Sequence, residues 1–342
     1  MSKKKILSIV AAVMLVVGIV GTSWSLFYIA PSIMEFQQQR KRESNKEITL
    51  YEKESTPTKL VVNSYGTQVT VRHKDGGCVV VKGSNLRNRK YEFHEDGGVL
   101  TVTEIQNDSE FYNMDLDEIV EEIIDGNLGY ITDSRLVIYV PERLDLQIDT
   151  VSTGIDIEEG VAGKNVELQT SSYVNIEKVI EEDNEMDKLS VRSESGDMNI
   201  NAKDLLGIKN LTLDTDYLTI KSPQDEKLTD EEEKRLPETL NVSSIASHIK
   251  IESNFPVAKT INIDSPEAWL TLNLPIDKYK YKADINSSQR LDYNTEEEEE
   301  YVDPEDGKAM SINGLLNPKL ENLENQYSIT TNTHYFKSKN IK

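Results

Sequence analysis

Apolar and polar residues alternate along most of this chain, and the alternation comes in recurring phrases. These are 148-IDTVSTGIDI, 168-LQTSSYVNI, 191-VRSESGDMNI, 213-LDTDYLTI, 242-VSSIASHIKI, 263-IDSPEAWLTL and 285-INSSQRLDY. Each opens on an apolar residue, passes through Ser, Thr, Asp or Asn, and closes on apolar–polar–apolar. The closing pairs are Ile155/Ile157, Val174/Ile176, Met198/Ile200, Leu218/Ile220, Ile249/Ile251, Leu270/Leu272 and Leu291/Tyr293, at intervals of 19, 24, 20, 31, 21 and 21 residues. A polar residue between two apolar ones is the period-2 mark of a strand with one wet face. A fixed period near twenty residues marks units that bury their apolar face only against their neighbours.

Second short strands, 166-VEL, 211-LTL and 261-INI, and turn signals such as 160-GVAGKN and 222-SPQDEK fill the intervals. Two strands and two bends per unit predict a mainly β fold, a β-solenoid of ~20-residue rungs over residues 146–293. The alternative is an antiparallel β-sandwich, whose strands recur every ~8–12 residues. Upstream, 60-LVVNSYGTQVTV, 78-CVVVKG, 98-GVLTVTE and 135-RLVIYVP read as further strands, the last ending at Pro141. They define an N-terminal β region over 51–145. A helical insertion near 110–125 interrupts it, with Tyr112, Leu116, Ile119, Val120, Ile123 and Ile124 at helical spacing and Gly126 as a stop. Residues 294–342 read as an acidic loop and a C-terminal segment.

The first residues carry a different pattern. From Ile6 to Ala30 there are 25 residues without a charge, enough helix to cross a ~30 Å hydrocarbon core. The run is longer than the apolar region of a signal peptide, and bulky Trp24, Leu26, Phe27 and Tyr28 stand where small residues would mark cleavage. It predicts an uncleaved transmembrane anchor (6–30) between a cytoplasmic stub (1–5) and a linker (31–50). Lys3, Lys4 and Lys5 favour a cytoplasmic N-terminus, although Arg40, Lys41 and Arg42 lie beyond the other end. Charge decides the orientation. Residues 1–50 hold seven Lys/Arg and three Asp/Glu, a net of +4, so a chain of net −22 leaves −26 on residues 51–342. The expected localisation is the cell membrane, single-pass, with the C-terminal domain extracellular.

That acidity excludes nucleic acid, which is bound by Lys and Arg neutralising phosphates. It predicts a partner that is basic or bridged by cations. The single cysteine, Cys78, has no disulfide partner within the chain and reads as a small apolar residue beside Val79, Val80 and Val81.

The layout resembles the bacterial putative-adhesin family of domains of unknown function, which includes LiaG-like proteins found beside cell-envelope stress systems. The resemblance rests on 135-RLVIYVPERLDLQIDTVSTGIDI and on 193-SESGDMNI, close to the family's repeated SGDI phrase, and covers roughly residues 48–293. Only Ser195–Gly196–Asp197 keeps the phrase whole; Ser172–Tyr173, Asp216–Tyr217 and Ala268–Trp269 depart from it. The resemblance implies an anchored extracytoplasmic domain and brings no catalytic residues.

The chain has no phosphate loop, metalloprotease helix, paired-cysteine motif or nucleophile elbow. His73, His94, His248 and His334 are scattered without ligand spacing. The residue after each opening apolar position gives Asp149, Gln169, Arg192, Asp214, Ser243 and Asp264. Outward-facing, these would form a ladder holding paired carboxylates and a base, the groups that glycoside chemistry uses. Carboxylate groups at Asp156, Glu158 and Glu159, at Glu181, Glu182, Asp183 and Glu185, and at Glu296 to Glu300 are of the type that hard cations take. None follows a calcium-loop pattern, and they read as solvated surface. The sequence therefore assigns no catalytic, cofactor or metal residue. It predicts a membrane-anchored, adhesin-like binding or sensing module of the cell envelope linked to envelope stress; the alternative is a β-solenoid polysaccharide lyase or hydrolase.

Overall fold

The structure, a computed structural model, describes residues 46–54, 57–84, 86, 89–105, 134–176, 185–223, 226–243, 247–293 and 310–340. The run Ile6–Ala30, the helical segment near 110–125, Glu181 to Asp183 and the glutamates 296–300 lie outside the described residues. Among the described residues no helix is long and apolar enough to cross a membrane.

The first half of the chain supplies β1 (Ile48–Glu54), β2 (Lys59–Ser64), β3 (Gln68–His73), β4 (Cys78–Ser84), β5 (Lys90–Asp96), β6 (Val99–Ile105), β7 (Arg135–Val140), β8 (Leu144–Thr150), β9 (Ile155–Ile157), β10 (Ala162–Thr170) and β11 (Val174–Ile176). The second half supplies β12 (Met186–Asn201), β13 (Ile208–Lys221), β14 (Thr239–Ser243), β15 (His248–Glu252), β16 (Thr260–Asn273), β17 (Lys280–Tyr293), β18 (Met310–Leu315) and β19 (Gln326–Ser338). A short helix, α1 (Asp230–Lys234), opens on a Thr229–Glu232 capping box.

Successive rungs pair in parallel, the arrangement of a solenoid rather than of an antiparallel sandwich. One long sheet runs β18-β17-β19-β16-β14-β13-β12-β10-β8-β2-β6-β5, and a smaller one runs β1-β4-β7-β3-β9-β11. Antiparallel pairs occur toward the ends, at β5–β6, β17–β18, β1–β4 and β4–β7. On edge strand β5 the exposed positions are Lys90, Glu92, His94 and Asp96, charged or polar residues of the kind that discourage pairing with another chain.

Apolar columns form the core because register is kept from rung to rung. Leu60 pairs with Leu146, Leu146 with Val166, Val166 with Leu189, and Leu189 with Leu211. The column continues through Leu240, Ile261 and Ile329. The closing pairs form the second wall: Ile155, Ile157, Leu218, Ile220, Ile249, Ile251, Leu270 and Leu272 are fully buried. Val174, Ile176, Ile200 and Leu291 are only half-buried. Return segments close the third side with Leu205, Leu236, Phe255, Val257 and Leu274. Cys78 is half-buried at the start of β4, while Val79, Val80 and Val81 behind it are buried.

Rung order departs from chain order at both ends. The sequence pattern sets the 285 phrase directly after the 263 phrase and treats the C-terminus as a trailing segment. In the structure β19 lies between β16 and β17. Tyr327, Ile329, Thr331, Thr333 and Phe336 all point inward, so the C-terminal strand has the alternation of a full rung. The β2–β3 rung is likewise inserted between β6 and β8 on the long sheet.

At the bend between the two faces a column of buried hydroxyls replaces the apolar residues. Ser64 pairs with Thr150, Thr150 with Thr170, Thr170 with Ser193, and Ser193 with Thr215. Bend carbonyls would otherwise be buried without donors. Thr150 donates to the Thr153 carbonyl at 2.7 Å, Ser193 to Ser172 at 2.5 Å, and Thr215 to Gly196 at 2.7 Å. The small-residue phrases are therefore turn chemistry. Gly196 is buried there, and a Cβ on it would stand 2.5 Å from the Ser193 hydroxyl and 2.9 Å from the Ser172 carbonyl.

Candidate functional site

The bend also fixes the residue just before each closing pair, and that position points outward. In β12, β13, β15, β16 and β19 it is Asp197, Tyr217, His248, Trp269 and Tyr335, each in register with the next. Four of the five are rings. Tyr217 stacks on His248 at 5.8 Å between centroids and 8° between planes, His248 meets Trp269 at 5.7 Å, and Trp269 meets Tyr335 at 5.1 Å. Ring separations this close follow from the ~4.8 Å strand spacing of a parallel ladder.

Each ring pair stabilises the stack by ~0.5–1.5 kcal/mol beyond area burial. Stability alone does not account for the surface the ladder leaves open: Tyr217 is 48% and Trp269 47% exposed. Contiguous exposed apolar surface of this kind marks interaction sites.

Polar groups flank the rings on both sides. Toward the long sheet the bend carries Asp216 and Glu267, with the Asp216 carbonyl held by the Ser247 hydroxyl at 3.1 Å. On the other side lie Thr219, Lys250, Thr271 and Lys337 in register. Lys250 reaches Glu252 at 3.0 Å. Tyr335 donates to the Asp292 carboxylate at 2.5 Å, and the Ser288 hydroxyl lies 3.1 Å from His334 Nδ1 at the bend.

The polar ladder expected from the sequence is present on the long sheet. Asp149, Gln169, Arg192, Asp214, Ser243 and Asp264 are consecutive in register, so their Cα atoms succeed one another at single-strand spacing along the face. Arg192 lies 3.5 Å from Asp214 and 3.6 Å from Glu194, and Asn332 donates to Asp264 at 3.0 Å. The crevice lined by Arg192, Glu194, Asp214 and Asp216 encloses no space for a water molecule. A separate, open depression of about 530 Å³ is bordered by His73, Glu142, Arg143, Glu159 and Gly160.

The other candidates stay apart. His73 contacts Asp75 at 3.4 Å, and His94 lies on edge strand β5. Asp156 accepts from Gln68 at 2.5 Å, and Glu158 pairs with Arg72 at 2.7 Å. Among the described residues no three His, Cys, Asp or Glu side chains gather to hold a metal ion.

A family model described as Toastrack DUF4097 matches residues 57–300. The chain belongs to that family. No curated protein matches it. Among solved structures, a "putative adhesin" from Bacteroides fragilis NCTC 9343 aligns over 86% of this chain and 98% of its own, with 10% identity and a TM-score of 0.36. A "putative cell adhesion protein" from Clostridium sporogenes ATCC 15579 aligns over 86% of this chain and 97% of its own, with 9% identity and a TM-score of 0.24.

Within this Toastrack chain the ring ladder leaves only a faint signal in the sequence. Tyr217 and Trp269 stand out in the sequence only as departures from the Ser-Gly phrase, and His248 as a scattered histidine. Aligning the phrases on their closing pairs, one residue earlier than the buried position, puts Tyr173, Tyr217, His248, Trp269 and Tyr335 in one column. Tyr173 is set apart from the others. Its ring lies over Gly154, where a Cβ would approach to 2.3 Å, and its hydroxyl accepts from Gln68 at 2.8 Å.

Proposed function

We propose that this protein is a non-catalytic, adhesin-like binding module held outside the cell membrane by Ile6–Ala30. The observation that carries the reading is the half-exposed ladder Tyr217–His248–Trp269–Tyr335. A solenoid suits such a role because stacked rungs give a long, regular surface whose outward residues vary without disturbing the core. The anchor rests on the uncharged run beside three lysines, which would keep the ladder at the envelope, and a link to envelope stress would then run through what the ladder binds.

The competing enzyme reading needs carboxylates and a base converging on one bond. The in-register spread of Asp149, Arg192, Asp214 and Asp264 supports the binding reading instead. The test is a turnover assay with the full chain in detergent on isolated envelope polysaccharide. Under the proposal no soluble fragments are released. Fragments that vanish when Asp149, Asp214 and Asp264 are all replaced by Ala would establish the enzyme.

A further inference from the structure

The ring ladder has an open end. Tyr217 stacks on His248 on one side; the next in-register residue on its other side is Asp197, which brings a carboxylate where a ring would continue the stack. The step between them is one strand spacing, ~4.8 Å. Asp216 precedes Tyr217 in the bend, and neither Asp197 nor Asp216 makes an ion pair among the described residues. A half-exposed ring, with one carboxylate residue at the in-register position of the next strand and another immediately before it in the bend, has the makings of a cation site. A guanidinium or ammonium over a tyrosine face gains ~0.5–2 kcal/mol, more as it is desolvated, and a carboxylate at its edge adds a charge-assisted hydrogen bond.

Resting on the binding-module reading, we propose that the ladder's open end at Tyr217, Asp197 and Asp216 receives a cationic side chain of a partner polypeptide, whose neighbouring residues lie along His248 and Trp269. Charge complementarity names the occupant: residues 51–342 carry −26, and Glu267 of the bend beside the rings is among those charges. A planar guanidinium continues the stack in shape as well as in charge.

The experiment uses the full chain in detergent micelles and a fluorescent oligo-arginine peptide, read by anisotropy at fixed salt. Tyr217→Ala and the pair Asp197→Asn/Asp216→Asn should each weaken binding about tenfold, the equivalent of ~1.4 kcal/mol. Tyr217→Phe, which keeps the ring, should bind like the parent. Asp149→Asn/Asp284→Asn removes the same charge from exposed positions of β8 and β17 on the long sheet and should change affinity less than about twofold, since exposed charges beyond a Debye length are screened. Equal losses in both Asp pairs, an unchanged Tyr217→Ala protein, or equal binding of an oligo-glutamate peptide would overturn the proposal. A chain whose retention on envelope material depends on Trp269 while its oligo-arginine affinity ignores Tyr217 would overturn this inference and leave the binding-module reading standing.

Discussion

Glu104 accepts the hydroxyl of Ser64 at 2.7 Å. It stands one residue beyond Thr103, the in-register partner of Asn63, and so takes the hydroxyl column's position beside Ser64. Its carboxylate also accepts the Tyr65 amide at 2.9 Å and pairs with the Arg89 guanidinium. Burial opposes ionisation of Glu104, but the Ser64, Tyr65 and Arg89 hydrogen bonds outweigh it and hold the carboxyl below its usual value.

A carboxylate whose folded pKa is lowered adds stability above its unfolded value, ~4.3, and loses it as pH falls through the folded value. Glu104→Gln should therefore melt below the parent at neutral pH, by an amount that shrinks once pH drops under about 4. Glu104→Ala should cost about 2–4 kcal/mol, because Arg89 and the bend amides lose their partner. Denaturant titrations at a series of pH values check both, and a gap that stays constant with pH would contradict the account.

Gly196 makes the bend testable from the other direction. Gly196→Ala presses a Cβ against the Ser193 hydroxyl and the Ser172 carbonyl and should destabilise by about 1–3 kcal/mol. Gly77→Ala meets nothing within 4 Å and should stay within about 0.5 kcal/mol of the parent. Chemical denaturation of the two variants side by side gives the comparison.

Register sets a third contrast. Ile220 is fully buried, in register between Ile200 and Ile251, whereas Thr219 faces outward. Ile220→Asp should cost several kcal/mol or abolish folding, because its carboxylate has no partner in the core. Thr219→Asp should shift stability by less than about 0.5 kcal/mol. Similar melting shifts for the two would mean that the closing pairs do not face the core.

The closing pairs and the turn role of the Ser/Thr phrases were legible because local alternation decides which face of a strand is dry. Rung order was not. Any two rungs with the same inward spacing can pair in parallel, so the pattern of β19 marks it as a rung without saying that it lies between β16 and β17. The ring ladder escaped for a related reason. Tyr217, His248, Trp269 and Tyr335 are up to 118 residues apart in the sequence and become neighbours only through stacking. Glu104 gave no signal of its own, since a polar residue at the end of 99-VLTVTE reads as an ordinary strand terminus.

The proposed anchor makes its own prediction. Protease added to intact spheroplasts should digest residues beyond the apolar run and leave the N-terminal stub attached to the membrane. Full protection would reverse the proposed orientation, and a shortened protein free in the medium would make Ile6–Ala30 a cleaved leader.

The most direct measurement of the central claim is co-sedimentation of the full-length protein, in detergent, with isolated cell-envelope material, comparing the parent with a Tyr217→Ala/Trp269→Ala/Tyr335→Ala variant that retains the parent's melting behaviour. The account predicts that the parent sediments with the envelope and that the variant loses at least about tenfold in affinity, the sum of several exposed aromatic contacts. Undiminished sedimentation of the folded variant would contradict it.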